Sequence, residues 1–565
     1  MPGKLVKTLA DELVEIIADE DPLLATMYGI GDTDSALADL SEEAEGRLRA
    51  RAAAAATRAR ELDDRLLPAA DRVTRAVVQQ QAEAVVHRLD SRAVEYTVTH
   101  HFVAPAARVF HYLPRVRIAD GDQAEAYLRR LSAFSGYLAA AANRHVGGTV
   151  AGRLPVGRLT RAATVQLDRA LALGADDPLL DPIRHEGMER YADEGLRLLE
   201  TEIRPALARY RAVLGGIAPS ARDDDKPGLC WITGGESIYA SLIRVHTDTD
   251  HAARVLHRTG ERLVADLRAE IEQCGARLFG SRGVDEVFRR LRDDRTLRWR
   301  DGQEMLDAAR TAIRKAESEA PNWFTVVPEQ RCVVEPVAPA EEAAVPSAMY
   351  LMPSPDGTRP GTYSTNISHP TERYRHAAEA MAFHEAVPGH HLQVTRAQGR
   401  RDLPMLRRLP LSTAYVEGWG LYAERLADEM GLYSDELSRL GMLVFDAMRA
   451  VRLVVDTGLH AEGWSRARAV DYLRANTAIP EVEVGAEVDR YVALPGRALA
   501  YMVGRMEITR IRTAAQDALG DRFDIRAFHD VLLSGGTLPM PVLADVVADW
   551  AKSARELPEY AVNTH

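Results

Sequence analysis

Along most of this chain, apolar residues recur with the period of about 3.6 residues that is typical of amphipathic α-helices. The pattern is clearest over Glu42–Leu67, Ala124–Ala142 and Glu189–Leu214, and it resumes from about Asp248 to Lys315. Ala, Leu, Arg and Glu dominate these segments, and these residues lose little side-chain freedom in a helix. The sequence therefore predicts a mainly α protein.

The pattern changes between Trp323 and Asn366, where short β-prone runs alternate with Pro and Gly. The runs are Phe324–Val327, Cys332–Val337, Ala348–Met352 and Thr362–Thr365. Short runs bounded by turn residues predict one small antiparallel β-sheet. Helical periodicity returns from Thr371 onwards, so the sheet interrupts an otherwise helical chain.

A polar segment from Pro219 to Gly228 is the best candidate for a domain boundary, because it combines Pro and Gly with consecutive aspartates. At 565 residues the chain exceeds the usual size of one globular domain. We expect a helical N-terminal half over residues 1–225. The second half, residues 226–565, would contain the sheet at about 323–366.

Charge and composition argue against two classes of partner, nucleic acids and membranes. The formal net charge of −12 argues against a nucleic-acid partner, which would require a basic surface. The N-terminal segment predicts an amphipathic helix with Leu9 and Leu13 on one face, and Asp11 and Glu15 interrupt any apolar core of signal-peptide length. No stretch reaches the roughly 18 apolar residues of a membrane span, and the 3 cysteines fit reduced thiols. We therefore expect a cytoplasmic protein with no membrane partner, whose oligomeric state stays open.

The segment SHPTERYRHAAEAMAFHEAVPGHHLQ, from Ser368 to Gln393, carries the strongest chemical signal. Ser368 suits an N-cap and Pro370 suits a first turn, so we expect one helix to deliver His384 and Glu385. Adjacent His and Glu on a helix suit metal-assisted hydrolysis. The imidazole binds the metal, while the carboxylate, about 100° further round the helix, acts as general base on the attacking water.

The spacing to the next histidines is unusual. Zinc peptidases commonly place a second histidine about one helical turn after the first, but Pro388 occupies that position here. Proline interrupts a helix, because it lacks an N–H group and its ring clashes with the preceding turn. A bulge that absorbs the extra residues would bring His390 to the second ligand position, whereas a nearly regular helix would bring His391 there. We favour His390 and keep His391 as the alternative.

The next helical segment, STAYVEGWGLYAERLADEMG, supplies carboxylates. Glu417 and Glu424 lie on one helical face. Carboxylates that face a core are costly unless they bind a cation. We predict that Glu417 is the third metal ligand, which leaves an open position for water, and that Glu424 holds a histidine N–H. Zn²⁺ is the expected cofactor, although such a ligand set could also hold non-haem iron.

Four motifs follow one another in this half of the chain: HEAVPGHHLQ, YVEGWGLYAERLADEMG, RLVVDTGLHAEGWS and DRYVALPGRALAYMVG. Together they resemble the bacterial domain-of-unknown-function family eight-eighty-five, and the resemblance extends from DPLLATMYGIGD to FHDVLLSGGTLPMPVL. That family is similar to zincin metallopeptidases, including thimet-type oligopeptidases and Taq-type carboxypeptidases. The resemblance implies a large helical fold with the sheet beside the active site. It also supports His390 and Glu417 as ligands.

The resemblance implies further roles downstream. Zincin relatives use a Tyr or a His to stabilise the oxyanion, which makes Tyr491, Tyr501 and His460 candidate catalytic residues. Arg490 or Arg497 could bind a substrate carboxylate as a bidentate clamp. Arg497 departs from the family pattern PGQA, and this added cation could alter substrate choice.

Three hypotheses follow for the function. The first is a zinc metallopeptidase that cleaves short peptides, in which Tyr363 and the edges of the Thr362–Asn366 strand bind an extended substrate. The second is a metal-dependent amide or ester hydrolase that acts on a small metabolite in a biosynthetic pathway. The third is a non-catalytic helical scaffold with a structural metal. Glu385 argues against the scaffold, because a structural site fills every metal position and needs no general base.

Overall fold

The computed structural model describes residues 2–339, 342, 347–354 and 359–556. Backbone contacts divide the chain into two compact units, and the division falls at Val245 rather than near residue 225. The first unit comprises the residues up to Val245 together with two later segments, Gly458–Ala469 and Gly485–Pro495. The second unit comprises the rest of the chain.

The helices before residue 248 are α1 (Pro2–Glu20), α2 (Pro22–Tyr28), α3 (Glu42–Arg60), α4 (Ala69–Asp90), α5 (Pro105–Tyr112), α6 (Gly121–Val150), α7 (Gly157–Ala172), α8 (Glu189–Leu198), α9 (Arg204–Ile217) and α10 (Gly235–Thr247). Helix α6 packs against α8 and α9, and its buried residues Tyr127, Leu131 and Phe134 belong to the core of the first unit. The predicted segment Glu189–Leu214 forms α8, a π-helical turn at Leu199–Ile203, and α9. Hydrophobic periodicity thus predicted these helices.

The helices after residue 248 are α11 (Ala253–Phe279), α12 (Val284–Asp293), α13 (Gly302–Glu319), α14 (Ala378–Glu385), α15 (His390–Gly399), α16 (Met405–Arg408), α17 (Thr413–Glu429), α18 (Glu436–His460), α19 (Arg466–Asn476), α20 (Glu481–Ala493), α21 (Leu499–Leu519), α22 (Ile525–Ser534) and α23 (Met540–Glu556). Helix α14 packs against α13 and α17, and α17 packs against α21. The mainly α prediction is confirmed. Within the described ranges, no helix combines the length and the apolar character needed to cross a bilayer.

The small sheet consists of β1 (Val333–Pro336), β2 (Ala348–Leu351) and β3 (Thr362–Thr365), in the order β1-β3-β2. Strand β3 runs antiparallel to β2 but parallel to β1, so the sheet is mixed rather than antiparallel. The run Phe324–Val327 forms no strand. Strand β3 lies in the middle and is paired on both sides, so it lacks the unpaired edge that the predicted binding of an extended substrate requires. Short apolar runs reveal strands but not their direction or order.

Candidate metal centre

The helix that carries His384 ends one residue later, and a new helix begins at His390. Instead of the predicted bulge, the helix breaks at Pro388 and Gly389. A Cβ atom on Gly389 would lie 1.9 Å from the carbonyl oxygen of His384, so the backbone leaves no room for a side chain. The indole N–H of Trp419 donates to the carbonyl oxygens of Pro388 at 3.0 Å and Gly389 at 3.2 Å. These contacts hold the break in one conformation.

The prediction that this helix begins at Ser368 is wrong, because α14 begins at Ala378. The Ser368 hydroxyl donates to Oδ1 of Asn366 at 2.6 Å, and Pro370 opens a short 3₁₀ turn that ends at Glu372. A local hydrogen bond therefore occupies the side chain that was expected to cap the helix.

The break brings His384 and His390 together with Glu417 of α17. One donor atom from each residue forms a group whose members all lie within 4.8 Å of one another. The Nε2 atoms of His384 and His390 lie 3.9 Å and 3.8 Å from Oε2 of Glu417. These separations are too long for hydrogen bonds. They are close to the roughly 3.3 Å between two ligands of a tetrahedral zinc ion, so the three residues fit a shared cation.

The other ring nitrogen of each histidine is held by an oxygen acceptor. Nδ1 of His384 lies 2.8 Å from Oε1 of Glu424, and Nδ1 of His390 lies 3.3 Å from Oε1 of Gln393. The Gln393 amide nitrogen in turn donates to the carbonyl oxygen of Tyr415 at 3.2 Å. Because carboxylate and amide oxygens only accept, both histidines carry their proton on Nδ1. Their Nε2 lone pairs then face the metal position, as a metal ligand requires.

The carboxylates of this site differ in their proton affinity. Burial raises the pKa of Glu385 to about 7, although His390 acts in the opposite direction. Burial also acts to raise the pKa of Glu417, but the charge of Arg497 and the charges that His390 and His384 carry when protonated outweigh it, so this pKa is lowered. Glu417 therefore remains ionised, which suits a ligand of a divalent cation.

His391, the alternative ligand, is held outside this group. Its Nε2 donates to the carbonyl oxygen of Gln330 at 2.8 Å, and its Nδ1 lies 2.9 Å from the hydroxyl of Tyr350 in β2. Both ring nitrogens are therefore engaged, so His390 is the histidine that the geometry offers to a metal.

Two of the downstream candidates lie beside Glu417. The Tyr501 hydroxyl forms a hydrogen bond with this carboxylate, and the guanidinium of Arg452 lies 4.7 Å from the centre of the Tyr501 ring. Nη2 of Arg497 lies 3.7 Å from Oε1 of Glu417. Tyr363 is buried in β3, and the burial raises its pKa. Tyr501 and Arg497 are thus candidate groups for contact with a substrate, whereas the buried position of Tyr363 argues against that role.

The remaining candidates belong to the first unit and are engaged there. Nδ1 of His460 accepts from the backbone N–H of Leu229 at 3.1 Å, and its Nε2 donates to the carbonyl oxygen of Tyr491 at 3.1 Å. Burial lowers the pKa of His460 to about 3. The Tyr491 hydroxyl donates to Glu487 at 2.7 Å, and Arg490 binds both oxygens of the same carboxylate at 3.1 Å and 2.7 Å. These contacts give His460, Tyr491 and Arg490 partners within the first unit, which supports structural roles for them.

Sequence reasoning missed several residues that support the site. Gln393 orients His390, Tyr350 holds His391, Arg449 lies beside Glu424, and Trp419 fixes the helix break. The position of Gln393, one helical turn after His390, is a signal that could have identified it. The others depend on contacts between distant segments.

The fold is similar to that of two solved bacterial proteins. One is described as "the putative lipoprotein from Colwellia psychrerythraea"; the TM-score is 0.89 at 25% sequence identity, over 98% of this chain and 100% of that one. The other is described as "a putative lipoprotein of unknown function from Shewanella oneidensis"; the TM-score is 0.77 at 17% identity, over 96% of this chain and 99% of that one. At 17% identity the likeness shows the fold alone. No curated protein matches the chain.

Family membership follows from the sequence match. The family described as bacterial protein of unknown function (DUF885) matches residues 22–547, which include the break between α14 and α15 and the glutamate-bearing helix α17. The match confirms the resemblance drawn from the four joined motifs, and the chain accordingly belongs to this bacterial family, DUF885.

Proposed function

We propose that this protein is a zinc-dependent hydrolase that cleaves short peptides. The observation that carries the proposal is the convergence of the His384 and His390 Nε2 atoms on one carboxylate oxygen of Glu417, with Glu385 next to His384 in the chain. A structural zinc site normally has four protein ligands, whereas this group offers three among the described residues. Three ligands beside a further carboxylate support a catalytic site.

In this proposal His384, His390 and Glu417 hold the ion. A zinc ion bound there would act as a Lewis acid that activates water and polarises a carbonyl group. Glu385 would take the proton from the attacking water and transfer it to the leaving amine. The Tyr501 hydroxyl, which bonds to Glu417 in the absence of substrate, would turn its single O–H to the oxyanion that develops on the substrate carbonyl.

We assign substrate binding to β2 rather than to β3. Strand β2 pairs with β3 on one side, and within the described residues no strand pairs with its other side. It also contacts α14, the helix that carries His384 and Glu385. An extended peptide that adds to β2 would form backbone hydrogen bonds next to these side chains.

Glu385→Gln tests the proposal, because it keeps the shape of the side chain but removes the proton acceptor. We expect the wild-type protein to cleave members of a library of fluorescence-quenched short peptides. The variant should retain its zinc and lose roughly 10²- to 10⁴-fold in turnover. Glu379→Gln is the matched control, since Glu379 lies on the same helix and accepts from the backbone N–H of Ser434 at 2.9 Å; it should retain activity.

Two results would count against the proposal. Wild-type turnover by Glu385→Gln would exclude this carboxylate as the proton acceptor. Zinc-dependent cleavage of small amides or esters, with no peptide cleaved, would favour the small-metabolite hydrolase instead.

A further inference from the structure

Helix α18 carries buried charged residues that share one face. Arg449, Arg452 and Asp456 follow the i, i+3, i+7 spacing of neighbours along a helix, and all are buried. Buried charges are costly unless they have partners. Each of these three residues contacts a residue at or next to the candidate metal centre.

Arg449 contacts the carboxylate that orients a predicted ligand. Its Nη2 lies 3.4 Å from Oε1 of Glu424, the oxygen that also lies 2.8 Å from Nδ1 of His384. Among the described residues, Oε2 of Glu424 and Nε of Arg449 have no hydrogen-bond partner. The position of the Glu424 carboxylate therefore depends on Arg449 and His384.

Arg452 contacts a different residue of the centre. Its guanidinium lies 4.7 Å from the centre of the Tyr501 ring, which is a cation–π contact. The hydroxyl of the same tyrosine bonds to Glu417. Arg452 therefore holds the ring from which a hydrogen bond reaches the third predicted ligand.

Asp456 fixes the turn before Arg497. The backbone N–H of Gly496 lies 3.0 Å and 3.3 Å from the two carboxylate oxygens of Asp456, which is fully buried. Gly496 has a φ of +81°, a conformation that favours glycine. The next residue, Arg497, approaches Glu417 at 3.7 Å. The position of the Arg497 guanidinium therefore depends on α18 as well.

We propose that this face of α18 positions the metal centre. Arg449 holds Glu424 against His384, Arg452 holds Tyr501 against Glu417, and Asp456 fixes the turn that presents Arg497. The inference rests on the proposed function, since it takes His384 and Glu417 as zinc ligands. None of the three residues belongs to the group of candidate ligands, so all act as positioning residues.

Zinc affinity of the full-length protein, measured by competition with a chromophoric chelator, tests this inference. Arg449→Met keeps a flexible unbranched stem of the side chain but removes the charged guanidinium beside Glu424. We expect it to weaken zinc binding roughly 10- to 100-fold, the loss typical when a partner behind a ligand is removed. Arg449→Lys restores the charge and should recover part of the affinity. A purely structural role would predict no such difference between Met and Lys at equal thermal stability.

Arg407→Met is the matched control, because Arg407 is equally buried in the second unit and donates to the carbonyl oxygen of Gly535 at 2.9 Å. It should reduce thermal stability and leave zinc affinity unchanged. If Arg449→Met does not fold, Arg452→Met tests the same face and should weaken zinc binding through Tyr501. Wild-type zinc affinity in the folded variant would overturn the inference and leave the proposed function intact. Absence of zinc binding by the wild-type protein would instead defeat the proposed function.

Discussion

Gly420 lies directly against the imidazole of His384: a Cβ atom on Gly420 would come within 2.4 Å of Cε1 and 2.7 Å of Nε2 of that ring. Gly420 lies inside α17, three residues after Glu417. The absence of a side chain therefore allows the two helices to bring a histidine and a glutamate together.

Gly420→Ala should displace the His384 ring and weaken zinc binding by roughly tenfold or more, because ligand geometry controls affinity. Isothermal titration of the metal-free protein with zinc measures the effect. Gly136→Ala is the control, since Gly136 also lies inside a helix but has open space where its Cβ would be. That change should leave zinc affinity unchanged and stabilise the protein by up to about 1 kcal/mol. Equal zinc affinities for both variants would contradict this packing argument.

The two neighbouring histidines should differ in their effect on the metal. His390→Ala removes a predicted ligand and should abolish stoichiometric zinc binding. His391→Ala should keep the zinc, because His391 bonds to Tyr350 and Gln330 instead. It should lower stability by about 1–3 kcal/mol, since buried partners lose a hydrogen bond. Zinc content and thermal unfolding of both variants separate the effects, and loss of zinc only in His391→Ala would show that the alternative ligand is the correct one.

The local sequence predicted which side chains come together at this site better than it predicted the backbone that carries them. The residue types and the position of Pro388 led to His390 and Glu417, which the structure brings together with His384. The same sequence pattern wrongly predicts that the helix begins at Ser368. The hydrogen bond from the Ser368 side chain to Asn366, which prevents this, is not visible in the sequence. Contacts between distant segments decide such details.

The prediction of the strands also lacked information on contacts between distant segments. Runs of apolar residues located β1, β2 and β3 within a few positions, but they carried no information on which strand lies in the middle. The motifs that contain Tyr491 and His460 predict catalytic roles for these two residues. Their backbone and carboxylate partners in the first unit became visible only in three dimensions.

Stability should depend on pH through Asp248, whose pKa burial raises to about 6 from its ordinary value near 3.8. Asp248 accepts hydrogen bonds from the Ser412 hydroxyl and from the backbone N–H of Met540. Between the two pKa values the folded protein binds this proton more tightly than the unfolded chain does. The contribution of Asp248 to stability is therefore greatest at low pH and is lost as the pH rises through about 4 to 6, by an amount on the order of 2 kcal/mol.

Asp248→Asn isolates this contribution, because Asn tolerates the positive φ of 56° at this position and can accept the same hydrogen bonds. We expect the variant to gain stability relative to the wild-type protein as the pH rises from about 4 to 7. Thermal unfolding of both proteins across this range measures the difference. A difference in melting temperature that is the same at every pH would contradict the prediction.

Arg497 should select substrates that carry a negative charge near the scissile bond. We expect the wild-type protein to prefer a peptide with a free C-terminal carboxylate over the same peptide with a C-terminal amide. Arg497→Gln should reduce this ratio of kcat/KM values by roughly 10-fold or more, the effect of losing one charged hydrogen bond. Arg490→Gln is the control, since Nε and Nη2 of that guanidinium donate to the two carboxylate oxygens of Glu487. An unchanged ratio in Arg497→Gln would remove Arg497 from substrate recognition.

The zinc content of the purified protein, measured by elemental analysis beside His384→Ala, tests the central claim most directly. The arrangement of His384, His390 and Glu417 predicts about one zinc per chain in the wild-type protein and its loss in the variant. Wild-type protein that holds no metal when freshly prepared, and takes up none when zinc is added, would contradict the account.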